Sequence, residues 1–148
     1  MNVNETAKPF FLDTNIFVYS FDSRAPAKKR IAIELIRYAL ESQTGIISTQ
    51  VVQEFLNVAT GKLEVPFQAR DAKDYLAQVL GPLCQVFPTF DIYDHAISIR
   101  ELYGLSFYDS LIVSGALRAR CKTLVTEDLQ EGQHFDSLTV FNPFQNIG

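Results

Sequence analysis

The sequence has few of the residues and none of the motifs that many enzyme classes use for their chemistry. It contains two cysteines and two histidines in 148 residues. Cys84 and Cys121 lack CxxC spacing, and His95 and His134 lack HExxH spacing, so a zinc site is not expected. The cysteines are typical of buried thiols in a reducing compartment. No GxGxxG, GxxxxGK or GxSxG motif occurs, so nucleotide-cofactor binding and serine-hydrolase chemistry have no support.

The chain also lacks the long apolar segments that indicate export or membrane insertion. Its longest uncharged stretch, residues 75–90, is broken by Gly81, Pro82 and Pro88. No basic region followed by an apolar region opens the sequence, so we expect a cytoplasmic protein. The length, with 47% hydrophobic and 20% charged residues, predicts a single domain spanning residues 1–148.

Excess positive charge is missing as well. Seventeen acidic and 13 basic residues give a net charge of −4, which at first disfavours a polyanionic substrate. If four of the acids form a cation site, the 13 remaining acids balance the 13 bases. A protein whose remaining surface has no net charge is expected to bind nucleic acid with modest affinity, through few phosphate contacts. The basic residues form two local groups that are also typical of solvated helix ends: Arg24, Lys28, Lys29 and Arg30, and Arg118, Arg120 and Lys122.

What the sequence does contain is an alternation of short apolar segments with stretches of helical period. The β-prone segments are residues 10–12, 45–48, 85–87, 123–125 and 138–141. The predicted helices are residues 27–41, 50–60, 67–80, 92–103 and 107–121, with a short one after Asn15. Pro66 and the Gly81-Pro82 pair are expected to bound the third long helix. The alternation predicts an α/β fold with helices on both faces of a mostly parallel sheet of four or five strands.

Two acidic residues fall just after predicted strands. Asp13 directly follows the first apolar segment, and Asp128 comes three residues after the fourth. Open α/β sheets place their ligand sites at this edge. Thr14 and Asn15 add oxygen-bearing side chains beside Asp13, and Thr126 can hydrogen-bond a carboxylate or an attacking water. Helix capping, an Asx turn or an ordinary turn would also explain each of these residues alone.

Two further acidic residues lie on predicted helices. Glu54 falls on the shoulder of an apolar stripe, although an exposed glutamate on a helix is also common. Asp109 has apolar residues at the i+3, i+4 and i+7 positions, which predicts burial and the need for a partner. It also fits the S-x-x-D form of a capping box that begins at Ser106.

If folding brings the four carboxylates together, they require a cation or a proton. Two carboxylates ~4 Å apart repel by about 4 kcal/mol at an effective dielectric of about 20. A few such pairs rival a domain's whole stability of about 5–15 kcal/mol. Either some of the acids hold protons at neutral pH, or a hard divalent cation lies among them; all-oxygen ligands suit Mg²⁺ or Mn²⁺. Metal-assisted phosphoryl chemistry is therefore the first hypothesis.

The order of these acids and the segments that carry them resemble those of PIN-domain ribonucleases. The resemblance rests on FFLDTNIFVY, TQVVQEFLNV, LSFYDSLIVSGAL and LVTEDLQEG, with VFNPF near the end, and runs from Phe10 to Phe144. The size and the lack of appended modules resemble the VapC-type toxins of toxin–antitoxin pairs. The resemblance implies a three-layer α/β/α fold and Mg²⁺- or Mn²⁺-dependent endonucleolytic cleavage of RNA.

The resemblance also implies a role for individual residues. The catalytic and metal-binding acids of the PIN family, which would hold one or two cations, correspond to Asp13, Glu54, Asp109 and Asp128. Its supporting polar positions fall on Thr14, Asn15 and Thr126. Asp13, Asp109 and Asp128 are expected to be direct ligands, and Glu54 to orient a metal-bound water or act through it. The implied partners are an RNA substrate, an antitoxin that covers the acids, and a second copy of the chain in a homodimer.

Two alternatives remain open at the level of sequence. An apolar strand that ends in Asp-Thr also resembles the nucleophile site of haloacid-dehalogenase-type phosphohydrolases, although that class usually has a second aspartate where this chain has Asn15. The other alternative is a non-catalytic PIN-fold module that binds RNA or protein and leaves its acids unused. The presence of all four acids argues against this module.

Overall fold

The computed structural model describes residues 8–147, so the predicted domain boundaries at residues 1 and 148 lie outside the described part. Strands and helices alternate along the chain, as the sequence pattern predicts. The strands are β1 (Phe10–Leu12), β2 (Gly45–Ser48), β3 (Cys84–Val86), β4 (Thr123–Val125), β5 (His134–Phe135) and β6 (Leu138–Phe141). The helices are α1 (Thr14–Tyr19), α2 (Pro26–Ser42), α3 (Thr49–Gly61), α4 (Ala69–Tyr75), α5 (Phe90–Tyr103) and α6 (Phe107–Arg118).

The strands form one sheet in the order β3-β2-β1-β4-β6-β5. All neighbouring pairs are parallel except β5 with β6. The chain moves from β1 outward to β2 and β3, and then crosses back to place β4 on the other side of β1. Because crossovers between parallel strands are right-handed, this reversal puts the two sets of helices on opposite faces of the sheet. The gap between β1 and β4 is therefore the topological switch point, where open α/β sheets bind ligands.

The core explains why the strands are short apolar runs. All four residues of β2 are buried, and Phe11 and Leu12 of β1 have no exposed surface. A parallel sheet with helices on both faces buries successive residues of each strand, so its strands need not alternate with polar residues. Within residues 8–147, no helix combines the length and apolar character needed to cross a membrane. The predicted α/β fold with a mostly parallel sheet is confirmed.

The described sheet has six strands, one more than the upper limit of the sequence prediction. The additional strand, β5, has only two residues, which is too short to show a period. The predicted helix stop at Gly81-Pro82 was wrong. After α4 the chain widens into a π-helical turn over Leu76–Leu80 and ends in a short turn at Gly81–Leu83. Pro82 lacks an N–H and its ring would clash with a carbonyl in a regular helix, and the wider turn accommodates it.

Gly45 allows α2 to lie directly against the sheet. A Cβ atom at this position would overlap the Cβ of Ala39 and lie 2.8 Å from its Cα. We expect Gly45→Ala to lower the free energy of unfolding by about 3 kcal/mol, because the backbone of α2 or β2 would have to move. Urea unfolding followed by circular dichroism measures the change. Gly61→Ala, with open space around the added methyl group, is the control, and equal stability of the two variants would contradict the close packing.

Candidate active site

The pairing of β1 with β4 brings two distant polar residues side by side. Leu12 lies opposite Val125 in the parallel register, so the next residues, Asp13 and Thr126, leave the two strands together. The Asp13 N–H donates to the Val125 carbonyl at 3.0 Å. The Thr126 hydroxyl donates to Oδ2 of Asp13 at 2.7 Å. This contact lies at the switch point of the sheet, and all the other candidate residues are arranged around it.

The Thr126 hydroxyl is a buried hydrogen-bond centre. Besides donating to Asp13, it accepts from Nδ2 of Asn15 at 3.3 Å and from the backbone N–H of Asp128 at 3.0 Å. The Asn15 side chain also lowers the pKa of the Asp128 carboxylate, against the larger effect of desolvation. A single hydroxyl therefore fixes the carboxylate of Asp13 and the backbone turn that carries Asp128.

Helices α3 and α6 supply the other two acids. The hydroxyl of Thr14, in α1, donates to Oε1 of Glu54 at 3.0 Å. The Ser106 hydroxyl caps α6 by accepting the Asp109 N–H at 3.1 Å. The carboxylates of Glu54 and Asp128 each feel electrostatic repulsion from Asp109. The structure thus brings the four predicted acids into one electrostatically coupled group.

Asp13 is the most buried of the four acids. Asp13 is 5% exposed, and desolvation raises its pKa to about 7 against the opposing effect of hydrogen bonds from Thr126 and Thr14. Desolvation also raises the pKa of Glu54 and of Asp128, and repulsion from neighbouring carboxylates adds to both shifts. Asp128 is exposed to solvent, yet nearby protein atoms displace part of its hydration shell, and this desolvation raises its pKa.

Asp109, in the first turn of α6, is less buried than the sequence predicts. Asp109 is only partly buried, whereas the next residue, Ser110, has no exposed surface. Ser110 Oγ has no hydrogen-bond partner within residues 8–147. The helix therefore turns Ser110 toward the core and leaves Asp109 at the edge of the site, close to solvent.

No cation of the described chain neutralises the four acids. The ion pairs within residues 8–147 join other residues: Arg24 with Asp22, and Lys28 with Glu127. Arg118 ends α6, nine residues after Asp109, which is about 14 Å along the helix axis. The two basic groups that the sequence contains therefore do not compensate the site.

Glu127 belongs to a separate cluster, although it directly precedes Asp128. Its carboxylate accepts from the Tyr19 hydroxyl and from Lys28 Nζ, each at 2.8 Å. Lys28 Nζ also lies 4.7 Å from the centre of the Tyr19 ring, and the edge of that ring packs against Phe144. The cluster fastens the turn after β4 to α1, α2 and the end of the described chain.

The donor set fits a hard divalent cation, although its carboxylates do not converge on one point. No group of three Asp, Glu, His or Cys side chains within residues 8–147 could hold a metal ion together as they stand. Oδ1 of Asn15 is buried without a partner and adds an amide oxygen to the carboxylates. Mg²⁺ is commonly held by one or two carboxylates, with water completing its shell. Direct ligation of one or two cations by Asp13, Asp109 and Asp128 stays a prediction.

One residue of the site, Gln50, was missed by the sequence analysis. It lies in the first turn of α3 and is 9% exposed. Its Nε2 donates to the carbonyl of Tyr108 at 3.1 Å. Its amide also lies near the carboxylate of Glu54 and lowers the pKa of that group, against the larger effect of desolvation. The available signal was its spacing, because residues at i and i+4 share one face of a helix.

The fold and the site together define a class of protein: an α/β domain with an uncompensated acidic site at the switch point of its parallel sheet. The chain belongs to the PIN domain family, whose sequence model matches residues 10–133. This match confirms the resemblance seen in the sequence and leaves the haloacid-dehalogenase alternative without support.

Solved structures of related fold include toxin–antitoxin proteins. A chain of a toxin–antitoxin complex from Klebsiella pneumoniae is 21% identical, with a TM-score of 0.64 over 90% of this chain and 96% of that one. A chain of VapBC2 from Rickettsia felis, solved with promoter DNA, is 22% identical, with a TM-score of 0.60 over 88% and 96%. VapC20 of Mycobacterium tuberculosis, described as a toxin that cleaves the sarcin–ricin loop, is 18% identical, with a TM-score of 0.56 over 78% and 86%. No curated protein matches the chain significantly.

Proposed function

We propose that this chain is an endoribonuclease dependent on Mg²⁺ or Mn²⁺ that acts in the cytoplasm as the toxin of a toxin–antitoxin pair. The observation that carries the proposal is a group of four carboxylates from the end of β1, from α3, from α6 and from the turn after β4. No cation of residues 8–147 is paired with any of them. Membership of the PIN domain family supports the nuclease assignment. The toxin–antitoxin proteins among the structural relatives support the biological role.

Within this proposal, Asp13, Glu54, Asp109 and Asp128 are the residues that hold one or two cations. A bound cation would supply an activated water and would stabilise negative charge on the phosphate. Thr126 fixes the carboxylate of Asp13 through the 2.7 Å hydrogen bond. Thr14 orients Glu54, whose carboxylate positions the attacking water. Water is the proposed nucleophile, and no serine, cysteine or lysine side chain of residues 8–147 hydrogen-bonds the carboxylates of these acids.

The proposed RNA substrate is bound through few phosphate contacts. The ion pairs within residues 8–147 already occupy two basic side chains near the start of α2: Arg24 pairs with Asp22, and Lys28 pairs with Glu127. Affinity that depends on few phosphate contacts falls only weakly with salt concentration. Selection of the substrate then depends on the shape of the RNA around the scissile bond more than on overall charge.

We also propose an antitoxin partner and a homodimer, because the chain has two separate apolar surfaces. One is a hollow of about 570 Å³ beside α4, lined in part by Phe21, Tyr75 and Val65, the last of which is 80% exposed. The other is a face of α5, where Phe90 and Ile97 are 89% and 59% exposed. Two exposed apolar surfaces fit two protein partners.

Cleavage of labelled RNAs by purified, partner-free protein tests the proposed function. We expect cuts with Mg²⁺ or Mn²⁺ and none with EDTA. The same cations should raise the melting temperature, since a ligand present at 100 times its dissociation constant stabilises the folded state by about 2.7 kcal/mol. Cleavage that persists in EDTA would contradict metal dependence. Absence of cleavage with either metal would favour the non-catalytic module.

A further inference from the structure

Gln50 joins the two helices that carry Glu54 and Asp109. It lies one turn before Glu54 on α3, and its Nε2 reaches the carbonyl of Tyr108, the residue before Asp109 on α6, at 3.1 Å. Among the hydrogen bonds of residues 8–147, this is the only one that joins α3 to α6. One buried amide therefore binds the backbone next to Asp109 and lies beside the Glu54 carboxylate, whose pKa it lowers.

The orientation of this amide is fixed by its partners. Both neighbours, the Tyr108 carbonyl and the Glu54 carboxylate, are acceptors, so the NH₂ group must face them. The opposite oxygen, Oε1, is buried without a partner in the described chain. A buried carbonyl oxygen without a partner is unfavourable, so the contacts made by the nitrogen hold the side chain in this orientation.

The carboxylates at the two ends of this bridge repel each other. Thr14 holds Glu54 from the side of α1, and Ser106 holds the backbone of Asp109. Neither of these bonds sets the distance between α3 and α6. The bond from Gln50 to Tyr108 links the two helices at the level of the two acids.

We infer that Gln50 is a positioning residue of the site: by bridging Glu54 and the first turn of α6, it sets the separation of the Glu54 and Asp109 carboxylates. The inference deepens the proposed ribonuclease function and rests on it. Gln50 touches neither the reacting atoms nor a cation directly. Groups that orient metal ligands in this way typically change metal affinity or activity by about 10- to 100-fold when they are replaced.

The test compares three variants with the wild-type protein. Gln50→Met keeps the length of the side chain and removes its donor, and Gln50→Glu keeps its shape and replaces the donor with an acceptor. Gln53→Met is the matched control, because Gln53 is an exposed glutamine of the same helix that makes no hydrogen bond with these acids. Circular dichroism and melting temperature establish that each variant is folded.

Two quantities are measured: the Mn²⁺ dissociation constant of the RNA-free protein by isothermal titration calorimetry, and kcat and KM for a labelled RNA. Gln50→Met should weaken Mn²⁺ binding and lower kcat, each by about 10- to 100-fold, with KM changed by less than about 2-fold. Gln50→Glu should lower kcat by a similar factor, because its carboxylate repels Glu54 and cannot donate to the Tyr108 carbonyl. Gln53→Met should match wild type. In a Glu54→Gln background, Gln50→Met should have no further effect on Mn²⁺ affinity, because it acts through Glu54.

The outcomes separate this inference from the proposed function. If wild type cleaves RNA and the folded Gln50 variants match it in both quantities, the positioning role is overturned and the ribonuclease stands. If wild type binds Mn²⁺ without cleaving RNA, the ribonuclease fails, and the Mn²⁺ constants still decide the role of Gln50. If wild type neither binds Mn²⁺ nor cleaves RNA, both are overturned. Additive effects of Gln50→Met and Glu54→Gln on Mn²⁺ affinity would show that Gln50 does not act through Glu54, and they would overturn the positioning role.

Discussion

Asp13→Asn is expected to lower kcat for metal-dependent RNA cleavage by about 10³-fold, the largest loss that we expect from any single substitution in this chain. Asparagine has nearly the same shape and can still accept the Thr14 N–H, which Asp13 accepts at 2.7 Å. It carries no charge, and it offers one acceptor oxygen where the carboxylate offers two. The oxygen that accepts the Thr126 hydroxyl is therefore lost. Single-turnover cleavage with saturating Mn²⁺ measures the change.

Asp94→Asn is the matched control for this substitution, because it is the same chemical change at an exposed position on α5. It should leave kcat within about 2-fold of wild type, as surface substitutions usually have small effects. Both variants must show wild-type secondary structure by circular dichroism. Retention of more than a tenth of wild-type kcat by folded Asp13→Asn would remove Asp13 from the proposed catalytic group.

The second large effect concerns the pH dependence of stability in the metal-free protein. The pKa of Asp13 rises from 3.8 to about 7 on folding, mainly by desolvation. Below about pH 4 the carboxyl is neutral in both the folded and the unfolded chain, so its contribution to stability is full. Between about pH 4 and pH 7 the unfolded chain ionises first, and the free energy of unfolding should fall by about 4 kcal/mol. Above about pH 7 this contribution should change no further.

Urea unfolding from pH 4 to pH 8, with EDTA present, measures this dependence. Other acids also titrate in this range, so the informative quantity is the difference between wild type and Asp13→Asn. The variant should gain stability relative to wild type as pH rises, and it should be the more stable protein at pH 8. Adding Mn²⁺ at pH 8 should stabilise wild type more than the variant, because a ligand that binds only the folded state shifts the equilibrium toward it. Parallel pH profiles for the two proteins would contradict the raised pKa.

The strands were the most predictable part of the fold. β1, β2, β4 and β6 begin and end where the apolar segments do, because strands buried on both faces stand out as short apolar runs between polar residues. The turn at Pro82 could not be predicted from local rules. A proline normally ends a helix, and only the packing of the whole segment stabilises the wider turn that accommodates it.

The sequence indicates those residues of the candidate site whose charge is unusual beside apolar neighbours. Asp13 directly follows an apolar strand, which made it conspicuous, and the structure buries it. Gln50 produced no such conflict, because an uncharged polar residue in the first turn of a helix is ordinary. Its importance depends on the Tyr108 carbonyl, 58 residues away in the chain, and that proximity is a property of the tertiary structure.

The hydrogen bond between Thr126 and Asp13 joins residues 113 positions apart, and this separation has a consequence for synthesis. During translation, β1, α1 and α3 emerge before β4, and contacts of long sequence separation form late because loop closure is costly. A nascent chain that has not yet delivered β4 has neither the hydroxyl that orients Asp13 nor the last acid of the group. The proposed site would therefore stay incomplete until β4 has been synthesised and has paired with β1.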